Sequence, residues 1–255
     1  MLAPDTVARY RTTLVSLAGG YLRNPVRERG ATCTDCMTPV DGYPVCYNCR
    51  GHQHTDSRTD ATAILTYAIA GRESGRVMRG YKSLPPVAEH RLVVSLMLVL
   101  ALTEHTTCLA FVTGLPVTHW AVVPSLPAKN GPHPLRDLVA GSAPGTELPL
   151  IAAASTPSPR LVSPDHFTCP ERLPEMSHVL VIDDTWASGG HIRSAVLTLR
   201  RTGATKVSAL IAARWIKEDF RGNEQFLSRI AGQDFDAHTC PWTAGNCPRL
   251  SLPTQ

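Results

Sequence analysis

The pattern of apolar and polar residues divides the chain into a helix, a polar stretch and a long series of strands and helices. Near the N-terminus apolar residues recur at helical spacing, which predicts a helix that Asp5 caps and Gly19–Gly20 weaken at its end. Residues 30–51 show no apolar periodicity, and the polar residues 51–60 are typical of a linker. Apolar runs dominate from Ala61 onward, so the folded core is expected there.

The last third of the chain predicts a parallel sheet. An apolar run at 179–182 is followed by a small-residue loop at 183–190, a helix at 191–201 and another apolar run at 206–213. This order forms a βαβ unit, whose strands lie parallel in one sheet. Other segments are predicted as strands (61–69, 120–123, 148–153) or helices (74–82, 87–104, 134–140, 219–231). The fold class is therefore α/β.

Composition and charge exclude several classes of protein. The chain is 43% hydrophobic and 18% charged, as in a globular protein. A net charge of +4 suits phosphate-bearing ligands but is too small to indicate nucleic acid. The longest apolar run, 92–102, is shorter than the ~20 residues that a membrane span needs, and the N-terminus does not resemble a signal peptide. We therefore expect a cytoplasmic protein without a membrane partner.

Two cysteine pairs predict a metal site. Cys33 and Cys36 enclose two residues, as do Cys46 and Cys49, and nine residues separate the pairs. Two such turns can direct four thiolates at one zinc ion, and four thiolates leave it no open position. We expect one structural zinc ion per chain, with free thiols as the alternative. Nucleic-acid binding by this module is expected to be weak or absent, because its only basic residue is Arg50.

The other cysteines follow no regular spacing. They are Cys108, Cys169, Cys240 and Cys247. A second metal site could combine Cys169, Cys240 and Cys247 with His166 and His238. The sequence favours buried or unpaired thiols and leaves a second metal open.

The most informative stretch begins with two adjacent carboxylates. Asp183 and Asp184 follow an apolar run and precede a loop that ends in Gly189–Gly190. Loop amides and a helix N-terminus bind anions, and glycine lets the backbone approach a phosphate. Carboxylates need another partner, such as vicinal hydroxyls or a hydrated metal, so the combination suits a ribose 5-phosphate. The sequence has neither the GxxxxGK[ST] nor the GxGxxG pattern, and the remaining alternative is a turn whose aspartates cap the helix.

This stretch resembles the phosphoribosyl diphosphate (PRPP) motif of type I phosphoribosyltransferases. The cysteine module, Tyr81–Lys82, residues 122–125 and Phe167 resemble the ComF-like members of that family, and the similarity covers about residues 30–213. The resemblance implies a parallel-sheet type I phosphoribosyltransferase-like fold with a small N-terminal zinc module. Its segments are an N-terminal helix (1–29), a zinc-ribbon-like module (30–54), a phosphoribosyltransferase-like domain (61–216) and a C-terminal helix with an irregular tail (217–255).

The resemblance also implies roles for individual residues. Asp183 and Asp184 form the catalytic pair that binds the ribose hydroxyls of PRPP. The 5-phosphate loop comprises Thr185, Ala187, Ser188, Gly189, Gly190 and His191. The diphosphate loop comprises Pro124, Ser125, Lys129 and Arg136. Magnesium is held mainly by the diphosphate and water. The implied reaction is displacement of diphosphate from C1 of the ribose by a nitrogenous base.

Two departures from the family pattern leave a rival function open. Ala187 and His191 stand where the family usually has Thr or Ser, which favours binding of PRPP over efficient catalysis. The rival is a non-catalytic PRPP or nucleotide sensor, or an accessory protein in DNA uptake or regulation, with a zinc interaction module. A third alternative is an interaction protein that only retains the scaffold. The sequence does not identify the acceptor base and leaves a homodimer open.

Overall fold

A five-stranded parallel sheet forms the centre of the molecule. The structure is a computed structural model that describes residues 2–128, 131, 133–155 and 158–248. Strands along the chain are β1 (Ala61–Ile69), β2 (His119–Val122), β3 (Thr146–Glu147), β4 (Ile151–Ala152), β5 (Phe167–Thr168), β6 (His178–Trp186) and β7 (Lys206–Ile216). The main sheet has the order β1-β7-β6-β2-β3, and β4 pairs with β5 in a separate antiparallel pair.

Helices cover both faces of the sheet. They are α1 (Pro4–Ala18), α2 (Tyr47–Arg50), α3 (Glu73–Gly80), α4 (Ala88–Thr113), α5 (Pro134–Val139), α6 (Gly190–Arg201) and α7 (Asn223–Ile230). The first core joins α1, α3, α4 and α5 to one face of the sheet, and the second core joins α6 and the cysteine module to the other. Leu180 and Ile182 of β6 lie in the first core, whereas Val179 and Val181 lie in the second. Successive side chains of a strand point to opposite faces, so a strand covered on both faces is apolar throughout.

The helix α4 is longer than the sequence predicts. It continues to Thr113 and ends at Gly114, whose φ of 73° is a left-handed conformation that glycine adopts without strain. By length and composition this helix could cross a membrane, since it has 26 residues and contains an 18-residue window with a mean hydropathy of 1.8. However, 61% of its apolar window is buried inside the protein, which is the environment of a core helix.

The α/β class and the parallel sheet are confirmed, but several predicted boundaries are wrong. The loop predicted at 183–190 begins only after Trp186, because β6 continues to pair with β7 as far as Trp186 opposite Arg214. The strand predicted at 148–153 is reduced to Ile151–Ala152, which pair with β5. Thr146–Glu147, just before the predicted segment, join the main sheet beside β2.

Candidate functional site

Neighbouring strands β2 and β6 lie where the order of the sheet reverses. From β2 the chain passes through α5 to the outer strand β3, and from β6 it passes through α6 to β7 on the other side. The two helices pack on opposite faces. This reversal is a topological switch point, where open parallel sheets bind their ligands. The segments that follow β2 and β6 are the ones that the sequence singled out.

The acidic pair lies near the carboxyl end of β6, and its two side chains are in different environments. Asp184 faces the end of α3, where the Tyr81 hydroxyl donates to its Oδ2 at 2.6 Å and the Lys82 ammonium binds the same oxygen. Burial opposes ionisation of Asp184, but Lys82 and Tyr81 together lower its pKa below the usual value. Burial and the neighbouring Asp184 charge raise the pKa of Tyr81, so its hydroxyl remains a donor. Asp184 is therefore a carboxylate at neutral pH.

Asp183 differs from its neighbour in charge state. Its side chain is 7% exposed and its Oδ1 accepts the backbone N–H of Asp184 at 2.8 Å. Burial, followed by repulsion from the Asp184 carboxylate, raises the pKa of Asp183 well above its usual value. The pair therefore favours one charge, on Asp184, rather than two.

Hydrogen bonds from the neighbouring strand β7 hold the start of the loop after β6. Arg214 of β7 donates to the carbonyl oxygens of Trp186 and Ala187, and Ala187 itself is exposed. Gly189 has a φ of 87°, which favours glycine. A Cβ on Gly190 would lie 2.4 Å from the carbonyl oxygen of Arg160, so this glycine already permits the close approach of another backbone segment. Thr185 remains in β6, Ser188 is half-buried in the loop, and α6 begins at Gly190.

His191 occupies the first turn of α6. Burial and the nearby His166 lower its pKa, although the Pro159 carbonyl, to which it is hydrogen-bonded, acts in the opposite direction. The ring is therefore neutral at physiological pH. Its one N–H is donated to the Pro159 carbonyl, so the ring brings neither a charge nor a free donor to the loop.

The structure places only some of the predicted diphosphate-loop residues beside the acidic pair. Pro124 and Ser125 follow β2 at the same edge as the acidic pair, since Val122 lies opposite Ile182 in the parallel register. Arg136 lies on α5, where its guanidinium binds Glu147 through two contacts of 2.5 and 2.8 Å. The Glu147 carboxylate of β3 thus neutralises the charge of Arg136. Lys129 lies outside the described residues.

The four cysteines of the N-terminal module converge as predicted. Cys33, Cys36, Cys46 and Cys49 place their Sγ atoms within 4.8 Å of one another. The Sγ atoms of Cys36 and Cys46 are 3.7 Å apart, against an edge of about 3.8 Å for a tetrahedron with Zn–S bonds of about 2.3 Å. Three of the four side chains are buried. The donor set and spacing are compatible with zinc.

The cysteine module is packed against the candidate site, although the polar segment 51–60 predicts a separable unit. Its cysteines share the second core with Trp186. The Arg193 guanidinium donates to Cys49 Sγ at 3.1 Å and to the Ser188 carbonyl at 3.4 Å, and it lies 5.3 Å from the Trp186 ring. One arginine thereby connects the cysteine cluster to the loop after β6. The sequence signal for Arg193 is a charged residue in the first turn of α6, next to the loop.

A second cluster combines residues that are distant in sequence. It consists of His105, Cys108, Cys240 and Cys247, with donor atoms within 4.8 Å of one another. The grouping with His166, Cys169 and His238 that the sequence left open is not formed. His166, for example, binds the Ser194 hydroxyl at 3.1 Å.

Comparison with known proteins adds no family to these observations. No family model matches the chain, and no curated protein matches it. The structure itself shows a parallel α/β sheet and two clusters of sulfur and nitrogen donors that could bind zinc.

Proposed function

We propose that the chain binds PRPP at the carboxyl edge of β2 and β6 and transfers its phosphoribosyl group to or from a nitrogenous base. The proposal includes a type I phosphoribosyltransferase fold of the ComF-like kind. One observation carries it: the two segments that resemble the diphosphate and 5-phosphate loops follow neighbouring strands at a topological switch point. The acidic pair lies near the end of one of these strands.

Asp184 and Lys82 provide the charges that such a ligand requires. A ribose hydroxyl can donate to the Asp184 carboxylate in a charge-assisted hydrogen bond. In the structure the Lys82 ammonium binds this carboxylate. Because the Lys82 side chain is 37% exposed, it can turn towards a phosphate of the ligand when a ribose hydroxyl binds Asp184 instead. In this account Tyr81 keeps Asp184 oriented during the exchange.

The reaction requires little covalent chemistry from the protein. A nitrogen lone pair forms the bond to C1 of the ribose while the C1–O bond breaks, and its electron pair leaves with diphosphate. The sugar gains positive charge in the transition state, so positioning and electrostatics contribute most. Magnesium would accompany the diphosphate and neutralise part of its charge. The carboxylate oxygens of Asp183 and Asp184 are of the kind that this ion prefers, but the ribose hydroxyl takes Asp184 and Asp183 is buried, so the ion would contact the pair only through water.

We also propose that the N-terminal cluster holds a structural zinc ion. Four cysteine thiolates complete the tetrahedron and leave no position for substrate. Through Arg193 the ion would hold the loop after β6 in place without taking part in the reaction.

A diphosphate-release assay tests the proposed transfer. Wild-type protein, magnesium, PRPP and a panel of purine, pyrimidine and amine acceptors are combined, and we expect release with at least one acceptor. Asp184→Asn should lower the rate at least tenfold, because it removes the charge-assisted bond to the ribose. Asp165→Asn is the control, since Asp165 is an exposed carboxylate that pairs with Arg201, at the end of α6 opposite to the loop, and with no other side chain among the described contacts.

A second candidate is a sensor that binds PRPP without turnover. It is favoured by His191, a larger side chain than the Thr or Ser usual in the family, and by the backbone of Arg160 packed against Gly190, since both limit the space around the loop. PRPP binding without diphosphate release from any acceptor would identify this function. Release with one acceptor would reject it.

A further inference from the structure

The last turns of α4 carry two metal-ligating side chains inside the first core. His105 and Cys108 are three residues apart and therefore lie on the same face of the helix. They are 6% and 1% exposed. An imidazole and a thiol side by side among apolar residues need a common partner, because a buried polar group without one is destabilising.

The C-terminal segment brings two more ligands to this face. After α7 the chain has no further helix or long strand in its described part, and it turns sharply at Cys240. The Cys240 N–H donates to the Gly245 carbonyl at 2.9 Å, and the Ala244 N–H donates to the Cys240 carbonyl at 2.8 Å. This turn directs Cys240 and Cys247 towards the same point as the helix residues.

Distances within the cluster match a tetrahedral centre. His105 Nδ1 lies 3.3 Å from Cys247 Sγ and 3.9 Å from Cys108 Sγ. A tetrahedron with Zn–S of about 2.3 Å and Zn–N of about 2.0–2.1 Å has N–S edges of about 3.6 Å. All eight cysteines are free thiols, so no disulfide competes for these sulfurs. Three thiolates and one imidazole are an established donor set of structural zinc sites.

The surroundings of Cys240 resemble those of a metal thiolate. The amides of Trp242 and Thr243 and the Thr243 hydroxyl all bind its sulfur. Such outer hydrogen bonds orient thiolate ligands. A cavity lined by Leu14, His105 and Cys240 lies beside the cluster, so apolar packing alone does not close this region.

We propose that His105, Cys108, Cys240 and Cys247 form a second structural zinc site, which fastens the C-terminal segment to α4. The site lies in the first core, whereas the N-terminal cysteine cluster lies in the second core across the sheet. The two sites share no ligand. The chain thus holds two zinc ions, and the second site does not depend on the proposed binding of PRPP.

Metal content tests the second site directly. Protein purified under reducing conditions is equilibrated with zinc and dialysed, and zinc per chain is measured. We expect two ions in the wild type, one in Cys247→Ser and two in Cys169→Ser, the control thiol outside both clusters. One ion in the wild type, or two in Cys247→Ser, overturns the proposal.

Thiol alkylation of the wild-type protein tests the same proposal without a variant, and it applies if Cys247→Ser does not fold. Cys247 is partly exposed and reacts when it is not bound to metal. We expect iodoacetamide to label Cys169 at once, and Cys247 only after a chelator is added. Equal labelling of Cys247 with and without chelator overturns the proposal.

Discussion

The ion pair between Lys82 and Asp184 gives the sharpest prediction for the region of the acidic pair. Lys82→Met removes the ammonium and leaves Asp184, which is 5% exposed, with the Tyr81 hydroxyl as its hydrogen-bonding side chain among the described contacts. A buried charged group that loses a partner costs about 1–3 kcal/mol, and the partial exposure of Lys82 places the effect in the middle of this range. A loss of about 2 kcal/mol lowers the melting temperature of a domain of this size by about 4–8 °C.

The effect of this substitution depends on pH. In the wild type the pKa of Asp184 is lowered, so its contribution is fully present above the unfolded-state value of about 3.9 and is lost as pH falls through the folded-state value. In Lys82→Met burial dominates and raises that pKa, so protonation at acidic pH relieves the cost. The difference between wild type and variant should therefore be largest at pH 7.5 and shrink towards pH 4.5.

Urea unfolding across this pH range measures the difference, and Lys206→Met is the matched control. Lys206 is 37% exposed, like Lys82, but its partner Asp60 retains Arg200 and a backbone N–H. The control should lose less stability than Lys82→Met. Equal losses in the two variants, or a loss in Lys82→Met that does not change with pH, would refute the reasoning.

Three further predictions follow from the loop and the cysteine module. Cys36→Ser should release the zinc of the N-terminal cluster and speed amide hydrogen exchange at 187–190, because Arg193 links the two; unchanged exchange would contradict this link. Ala187→Thr with His191→Thr should leave PRPP affinity within about threefold of wild type by calorimetry, because the backbone of the loop is unchanged, and a larger loss would assign His191 a direct contact. DNA binding should be weaker than micromolar at physiological salt in a fluorescence titration, since the module offers few cations for phosphates; tight, salt-sensitive binding would contradict this.

Local patterns in the sequence are sufficient for most of the long helices and strands and for the N-terminal cysteine cluster. The strand predicted at 61–69 has the same bounds in the structure, because its apolar run is buried on both faces. The cysteines of the module converge because two short turns fix their geometry. These features depend on residues that are close in sequence.

Features that depend on distant residues could not be predicted. The extension of β6 to Trp186 depends on the length of β7. Lys82 and Asp184 are 102 residues apart, and His105 and Cys247 are 142 residues apart. No local spacing shows which distant segments the sheet brings together, so the second cluster is visible only in the folded chain.

Calorimetric titration of PRPP into the protein with saturating magnesium tests the central claim most directly. We expect the wild type and Asp165→Asn to bind one PRPP per chain with equal affinity, and Asp184→Asn to bind at least tenfold more weakly. This result would support PRPP binding whether or not turnover follows. No heat of binding in the wild type, under conditions in which its zinc content and melting curve show it to be folded, would contradict the account.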